Sequence, residues 1–212
     1  MNDVRGIPSE LSPRRKHAVL VSASLVTRSE TALSSDLKLA LEEAFSASEL
    51  VELILQSLLF DGYPCALEGL ITLREIVPSI LPAEKIIESY SNENLELWID
   101  RGEALCRRIY GDNFDRLLQN VDALSPTLKE WMLVEGYGRV LSRPELTIAV
   151  REMGIVAILT VKNLSRQLYS HLRGATRVGV TTAELKTAIH LCERYTEPAR
   201  IESALNVWRK LP

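Results

Sequence analysis

Residues 151–179 constrain the fold most, because they read as two apolar helices joined by a polar turn at Val161-Lys162-Asn163. Glu152 lies in the first helix and His171 in the second, and their sequence midpoint falls at the turn. At a rise of about 1.5 Å per residue, each lies roughly 14 Å from the turn, so an antiparallel hairpin brings them level. Because the sequence around Glu152 is apolar, a charge there costs free energy unless it is paired. We therefore predict that Glu152 and His171 form the main candidate site.

The remaining sequence also predicts helices. Residues Leu33, Leu37, Leu41 and Phe45 form an apolar stripe with the i, i+4 spacing of one helix face. Two capping-box patterns, 46–49 and 181–184, mark further helix starts. Strict alternation of apolar and polar residues dominates nowhere, and no Asn-Gly or Asp-Gly turn joins alternating runs. The predicted fold class is all-α.

An internal repeat organises the chain. An offset of 135 residues aligns Ser35-Asp36-Leu37-Lys38 with Ser170-His171-Leu172-Arg173, and it also aligns the two capping boxes. We predict two tandem four-helix units, the first and degenerate one in residues 1–82 and the second in residues 101–212. The polar residues 83–100 are predicted to be a linker, and residues 1–11 a polar arm.

The same alignment indicates a second polar pair. His17 takes the place of Glu152, and Asp36 takes the place of His171. The midpoint of His17 and Asp36 again falls at a predicted turn, Val26-Thr27. In one interpretation the acid–imidazole pairing is kept with its members exchanged. In the other, both residues are surface or capping residues of a decayed copy.

The composition of the chain limits the kinds of binding partner that we expect. The net charge is −3 and the pI about 5.7, without the basic stripe that follows phosphates, so we expect no nucleic-acid partner. No apolar run approaches the roughly 20 residues of a membrane span, so no membrane partner is expected. Three distant cysteines argue against a disulfide framework and favour a cytoplasmic location. Three scattered histidines do not form a zinc site, so no metal is expected.

Several segments together resemble the carboxymuconolactone decarboxylase family, within the alkylhydroperoxidase D-like superfamily. They are Glu135-Gly136-Tyr137-Gly138-Arg139-Val140-Leu141-Ser142-Arg143-Pro144-Glu145-Leu146, Arg151-Glu152, Ser170-His171-Leu172-Arg173-Gly174-Ala175, Gly179-Val180-Thr181 and Glu184. The resemblance covers about residues 101–211, and residues 14–77 resemble a second copy. It implies an all-helical fold and a homo-oligomer, with a trimer or hexamer-like ring as in the family.

The family includes a lactone decarboxylase and thiol-dependent alkylhydroperoxidases. The peroxidases carry a Cys-x-x-Cys pair where this chain has Leu164 and Gln167, so that activity is not favoured. The resemblance instead implies a cofactor-free enzyme that acts on a small carboxylated lactone or keto acid by acid–base chemistry. The alternative is a non-catalytic helical assembly protein that keeps the family fold.

Each predicted site residue has a role in this interpretation. His171 is the predicted general acid and Glu152 holds its imidazole in orientation. Arg143 is predicted to bind the substrate carboxylates, because arginine does this bidentately. Tyr137 is expected to line the substrate pocket, and Glu135, in the same motif, is also assigned to substrate binding. Neither a metal nor an organic cofactor is required.

Overall fold

A computed structural model describes residues 11–79 and 90–212, in which all regular structure is helical and no strand occurs. The all-α prediction is therefore confirmed. Nearly all of the predicted polar arm, residues 1–10, lies outside the described residues. None of the helices in the described ranges is both long enough and apolar enough to cross a membrane.

The helices follow one another with short connections. They are α1 (Pro13–Thr27), α2 (Glu30–Glu43), α3 (Ala47–Leu55), α4 (Leu58–Ile76), α5 (Asn92–Tyr110), α6 (Phe114–Leu124), α7 (Pro126–Trp131), α8 (Ile148–Val161), α9 (Ser165–Arg177), α10 (Thr182–Leu191) and α11 (Pro198–Trp208). Helix α7 continues directly into a π-helical segment, Met132–Leu141. Helix α4 bends at Gly62, whose φ of 77° is not helical.

Helices α1 and α8 form the centre of the molecule and pack against each other. Helix α8 is buried along almost its whole length, and α1 is buried from His17 to Val26. A helix that is apolar on all sides is stable only when other helices surround it. Helices α2, α3, α9, α10 and α11 pack around this pair and complete one continuous core.

The helix starts follow the spacing of the predicted repeat. Helices α1 and α8 begin at Pro13 and Ile148, and α3 and α10 begin at Ala47 and Thr182, so each pair of starts is 135 residues apart. Both capping boxes form as predicted, with reciprocal side-chain and backbone hydrogen bonds. The division into tandem units nevertheless stays a prediction.

The predicted linker is partly helical. Its residues 83–89 lie outside the described residues, whereas residues 92–100 belong to α5. The hydroxyl of Ser91 caps α5 by accepting a hydrogen bond from the Asn94 backbone N–H. Trp98 is fully buried, so this part of the chain packs against the rest of the fold.

Two glycines bring α5 and the π-helical segment into backbone contact. A Cβ added to Gly138 would lie 2.0 Å from the carbonyl oxygen of Trp98, and one added to Gly102 would lie 2.1 Å from that of Leu133. Only glycine fits at such distances. This close packing fixes the π-helical segment, and with it Tyr137, beside α5.

Candidate active site

The structure brings Glu152 and His171 together across the α8–α9 hairpin. The Glu152 carboxylate Oε2 accepts a hydrogen bond from Nδ1 of His171 at 3.0 Å. Glu152 is fully buried and the His171 side chain is 9% exposed. Because an ionised carboxylate only accepts hydrogen bonds, Nδ1 carries the hydrogen and Nε2 is the ring atom that remains for proton exchange. In the part of the chain that the structure describes, Nε2 has no hydrogen-bond partner.

The immediate surroundings of the pair are apolar and tightly packed. The Phe60 ring meets the His171 ring edge to face, with centroids 5.6 Å apart. Gly174, one helical turn after His171, lets α9 pack closely on α5, since an added Cβ would lie 2.6 Å from Ile109 Cγ2. The second carboxylate oxygen, Oε1, is buried and has no hydrogen-bond partner among the described residues.

Two tyrosines that are hydrogen-bonded to each other lie near Glu152. The Tyr137 hydroxyl donates a hydrogen bond to the Tyr110 hydroxyl at 3.0 Å. Burial raises the pKa of Tyr110, and the negative charge of Glu152 adds to that rise although the bond from Tyr137 opposes it. Burial also raises the pKa of Tyr137 well above its ordinary value. Both hydroxyls therefore stay protonated at neutral pH.

Arg143 lies in a separate ion-pair cluster. Its Nε donates to Glu52 at 2.8 and 3.0 Å, and Glu52 is buried in α3. The fully buried Arg151 also pairs with Glu52, at 2.9 Å. Burial lowers the pKa of Arg151, and Glu52 partly restores it. Because Arg143 and Arg151 share Glu52, the structure gives Arg143 a role in joining α3 to the segment before α8, and its predicted role toward a substrate stays a prediction.

Glu135 is also not joined to the Glu152–His171 pair by a hydrogen bond. It accepts a hydrogen bond from the Tyr90 hydroxyl at 3.1 Å and pairs with Arg139, one turn later, at 3.1 Å. Its side chain is 37% exposed, so it forms part of the surface of the π-helical segment. None of the three predicted substrate-binding residues is hydrogen-bonded to Glu152 or His171 in the described structure, and Tyr137 is the one whose pKa the charge of Glu152 helps to raise.

His17 and Asp36 have different partners instead of each other. Nε2 of the buried His17 lies 2.7 Å from Glu43 at the end of α2. The buried Asp36 accepts a hydrogen bond from the Tyr195 hydroxyl at 2.8 Å. Within the described structure, His17 and Asp36 therefore have no hydrogen bond between them, and His17 instead pairs with a different acid of the same hairpin.

The cysteines carry no peroxidase-like pair. Cys65, Cys106 and Cys192 are all free and buried. Burial raises the pKa of Cys106 to about 12 and also raises the pKa of the other two thiols. No group of three or more His, Cys, Asp or Glu side chains in the described ranges is arranged to hold a metal ion.

Sequence reasoning did not identify Tyr110 or Phe60. Both reach the site through tertiary packing: Tyr110 from the end of α5 and Phe60 from α4. The only local signal for Tyr110 is its position just before Gly111, where α5 ends. Nothing in the sequence near Phe60 indicates that it faces a histidine more than a hundred positions later.

Comparison with known proteins found a family match for the part of the chain that contains the site. Residues 126–210 match the model of the carboxymuconolactone decarboxylase family. The search of curated proteins found no match. The matched range includes the π-helical segment and helices α7 to α11, and therefore both helices of the Glu152–His171 hairpin. Over these residues the chain is similar to the carboxymuconolactone decarboxylase family.

Proposed function

We propose that this protein is a cofactor-free decarboxylase that acts on a small carboxylated lactone or keto acid. The observation that carries the proposal is the buried hydrogen bond between Glu152 and Nδ1 of His171, in a family-matched segment. A carboxylate that accepts a hydrogen bond from one ring nitrogen fixes the tautomer of the imidazole. The other ring nitrogen is then the one that gains or loses a proton. We also propose a cytoplasmic location, which the three free thiols support.

The chemistry is a carbon–carbon bond cleavage followed by proton transfer. The substrate carboxylate leaves as carbon dioxide, and the electron pair of the broken bond passes into the adjacent unsaturated carbonyl system. The proton on Nε2 of the His171 imidazolium then transfers to carbon, and Glu152 stabilises the imidazolium that supplies it. The protonated hydroxyl of Tyr110 is a further hydrogen-bond donor near Glu152.

The thiols support this choice over a peroxidase. Leu164 and Gln167 precede His171 at the positions where the peroxidases carry their cysteines. Burial raises the pKa of all three thiols, so little thiolate is present to attack a peroxide. None of them is within hydrogen-bond distance of His171 in the described structure.

Turnover of a panel of carboxylated lactones and keto acids tests the proposal. His171→Gln is expected to reduce kcat by roughly 10²- to 10⁴-fold, the usual contribution of a general acid–base group. His190→Gln is the matched control, because His190 is surface-exposed and pairs only with the nearby Glu193. Unchanged turnover in His171→Gln, or equal loss in both variants, would contradict the proposed role.

One observation favours assembly as a second candidate function. After the bend at Gly62, α4 exposes Tyr63, Leu67 and Ile71, with exposed fractions of 70%, 56% and 51%. Their spacing of four residues places them on one helix face. We propose that this face supports a homo-oligomer, with a trimer or hexamer-like ring as the expected form.

The molar mass in solution, measured by light scattering, tests the assembly. Leu67→Glu is expected to reduce the mass to that of a smaller species, because it puts a charge into an apolar contact. Leu39→Glu, at an exposed leucine of α2, is the matched control. A monomeric wild-type protein, or an unchanged mass in Leu67→Glu, would exclude this face as the contact.

A further inference from the structure

A cleft lies between α9 and the α5–α6 region. It has a volume of about 330 Å³, within the usual range of small-molecule sites. Its charged lining residues are all arginines: Arg116 from α6, and Arg173 and Arg177 from α9. Helices α5 and α6 lie outside the family-matched residues, so the cleft combines a helix of the matched range with two helices that precede it.

Asn113 holds two of the arginines close together. Its amide oxygen faces Nη2 of Arg173 at 3.2 Å and Nη2 of Arg177 at 3.1 Å, the orientation that matches donors with an acceptor. Arg177 also donates to the backbone carbonyl oxygens of Ile109 and Tyr110, at the end of α5. Two guanidinium groups therefore converge on one neutral oxygen and are fixed in place.

No acidic side chain offsets this charge. The lining of the cleft contains no Asp or Glu, and none of the three arginines forms an ion pair with a described residue. Arg116 is exposed and has no polar partner among the described residues. Like charges held this close repel each other, and a bound anion would remove that cost.

The walls of the cleft favour a small ligand with an unsaturated or flat body. Tyr110 and Tyr169 both line it. The Arg173 guanidinium lies 5.8 Å from the centre of the Tyr169 ring, which orients the arginine over an aromatic face. The whole chain has a net charge of −3, so the arginines form a local anion site and not part of a basic surface that follows a polymer.

We propose that this cleft binds a small anionic molecule through carboxylate or phosphate oxygens, with Arg116 and Arg173 as its principal ligands. Arginine presents a planar set of donors that matches both kinds of oxyanion bidentately. Arg177 positions Asn113 and the end of α5, and contributes charge from the rim. The cleft shares Tyr110 with the surroundings of Glu152, but binding of an anion by the arginines needs no catalytic activity of the Glu152–His171 pair.

Calorimetric titration with citrate in one arm and inorganic phosphate in the other tests the site and distinguishes a carboxylate ligand from a phosphate. We expect saturable binding of at least one probe. Arg173→Gln and Arg116→Gln are each expected to weaken it roughly 10- to 100-fold, the equivalent of one charge-assisted hydrogen bond. Arg166→Gln is the matched control, because it removes an exposed arginine of α9 that does not line the cleft.

Three results would overturn the proposed anion site. Equal weakening in Arg166→Gln would show a general charge effect, and wild-type protein that binds neither probe would exclude the site. Tighter binding of single-stranded RNA than of either probe would exclude a small-molecule ligand. Arg116 has no described polar contact, so Arg116→Gln tests the site even if Arg173→Gln does not fold. Unchanged binding in His171→Gln is expected, and it would support the cleft even if no turnover is found.

Discussion

The hairpins α1–α2 and α8–α9 have similar lengths and corresponding starts, yet their polar residues behave differently. In α8–α9 the carboxylate and the imidazole face each other and share a buried hydrogen bond. In α1–α2 the histidine bonds to Glu43, whose side chain is 47% exposed, and Asp36 bonds to Tyr195. The second hairpin thus buries its acid–imidazole pair, whereas the first pairs His17 with an exposed carboxylate of its own α2 and bonds Asp36 to Tyr195 outside the hairpin.

This difference shows what a shared register does and does not determine. Register places two residues level across a hairpin, but the neighbouring helices decide which partner each side chain meets. In the second hairpin, Phe60 of α4 packs edge to face on His171, and the carboxylate of Glu152 bonds to that ring. In the first hairpin, His17 is hydrogen-bonded to Glu43, and Asp36 accepts a hydrogen bond from Tyr195. His17 and Asp36 therefore bond to these residues and not to each other.

The largest expected effect on stability lies in the contact between the two halves of the chain. Glu52→Gln leaves the fully buried Arg151 without its ion partner, and we expect unfolding to require about 3–5 kcal/mol less free energy. Urea denaturation measures this change. Glu42→Gln, at an exposed position of the same unit, is the control and is expected to change stability by less than about 0.5 kcal/mol. Similar effects in both variants would contradict the buried-cluster assignment.

Double-mutant cycles on stability compare the two polar pairs directly. Glu152→Gln with His171→Gln is expected to show a coupling of about 0.5–3 kcal/mol, because the two side chains are bonded. His17→Gln with Asp36→Asn should be additive within about 0.5 kcal/mol, because they share no partner. Comparable coupling in both cycles would mean that His17 and Asp36 also interact with each other in solution.

The two capping boxes should respond alike. Ser46→Ala and Thr181→Ala each remove the side-chain acceptor at the start of a helix, and each is expected to cost about 1 kcal/mol of unfolding free energy. Thermal unfolding measures both losses. Ser35→Ala is the control, because Ser35 is exposed in the interior of α2 and caps no helix. A loss of stability in only one of the two variants would show that the two capping boxes do not stabilise their helices equally.

Acid stability gives the smallest expected effect. Burial alone would raise the pKa of Glu49 and Glu184, but hydrogen bonds from their capping residues and from Arg14 and Arg15 outweigh it, so each pKa lies below the ordinary 4.5. A lowered folded-state pKa stabilises the fold above the unfolded value, and that contribution is lost as pH falls through the folded one. The urea concentration at the midpoint of unfolding should therefore decrease as the pH is lowered below 4.5. The decrease should be less steep in Glu49→Gln and Glu184→Gln.

Local sequence features predicted much of the fold. Both capping boxes, the starts of α1 and α10, and the level of Glu152 with His171 follow from spacing within short segments. The start of α5 was missed because residues 92–100 carry many charges, although Ser91 offers a capping signal. Contacts between distant segments could not be predicted: Arg143 and Glu52 are 91 residues apart, and Tyr110 meets Tyr137 through the packing of α5 on the π-helical segment.

The adjacent residues Arg14 and Arg15 bring the two halves of the chain to one point. Arg14 pairs with Glu49 at 2.5 Å, and Arg15 pairs with Glu184, so neighbouring positions of α1 reach the capping boxes of α3 and α10. Helix α1 also packs along α8. Neither half therefore encloses its own core, and loss of α1 would open both halves together. The molecule should accordingly unfold in one cooperative transition, and separate expression of either half should give an incomplete core.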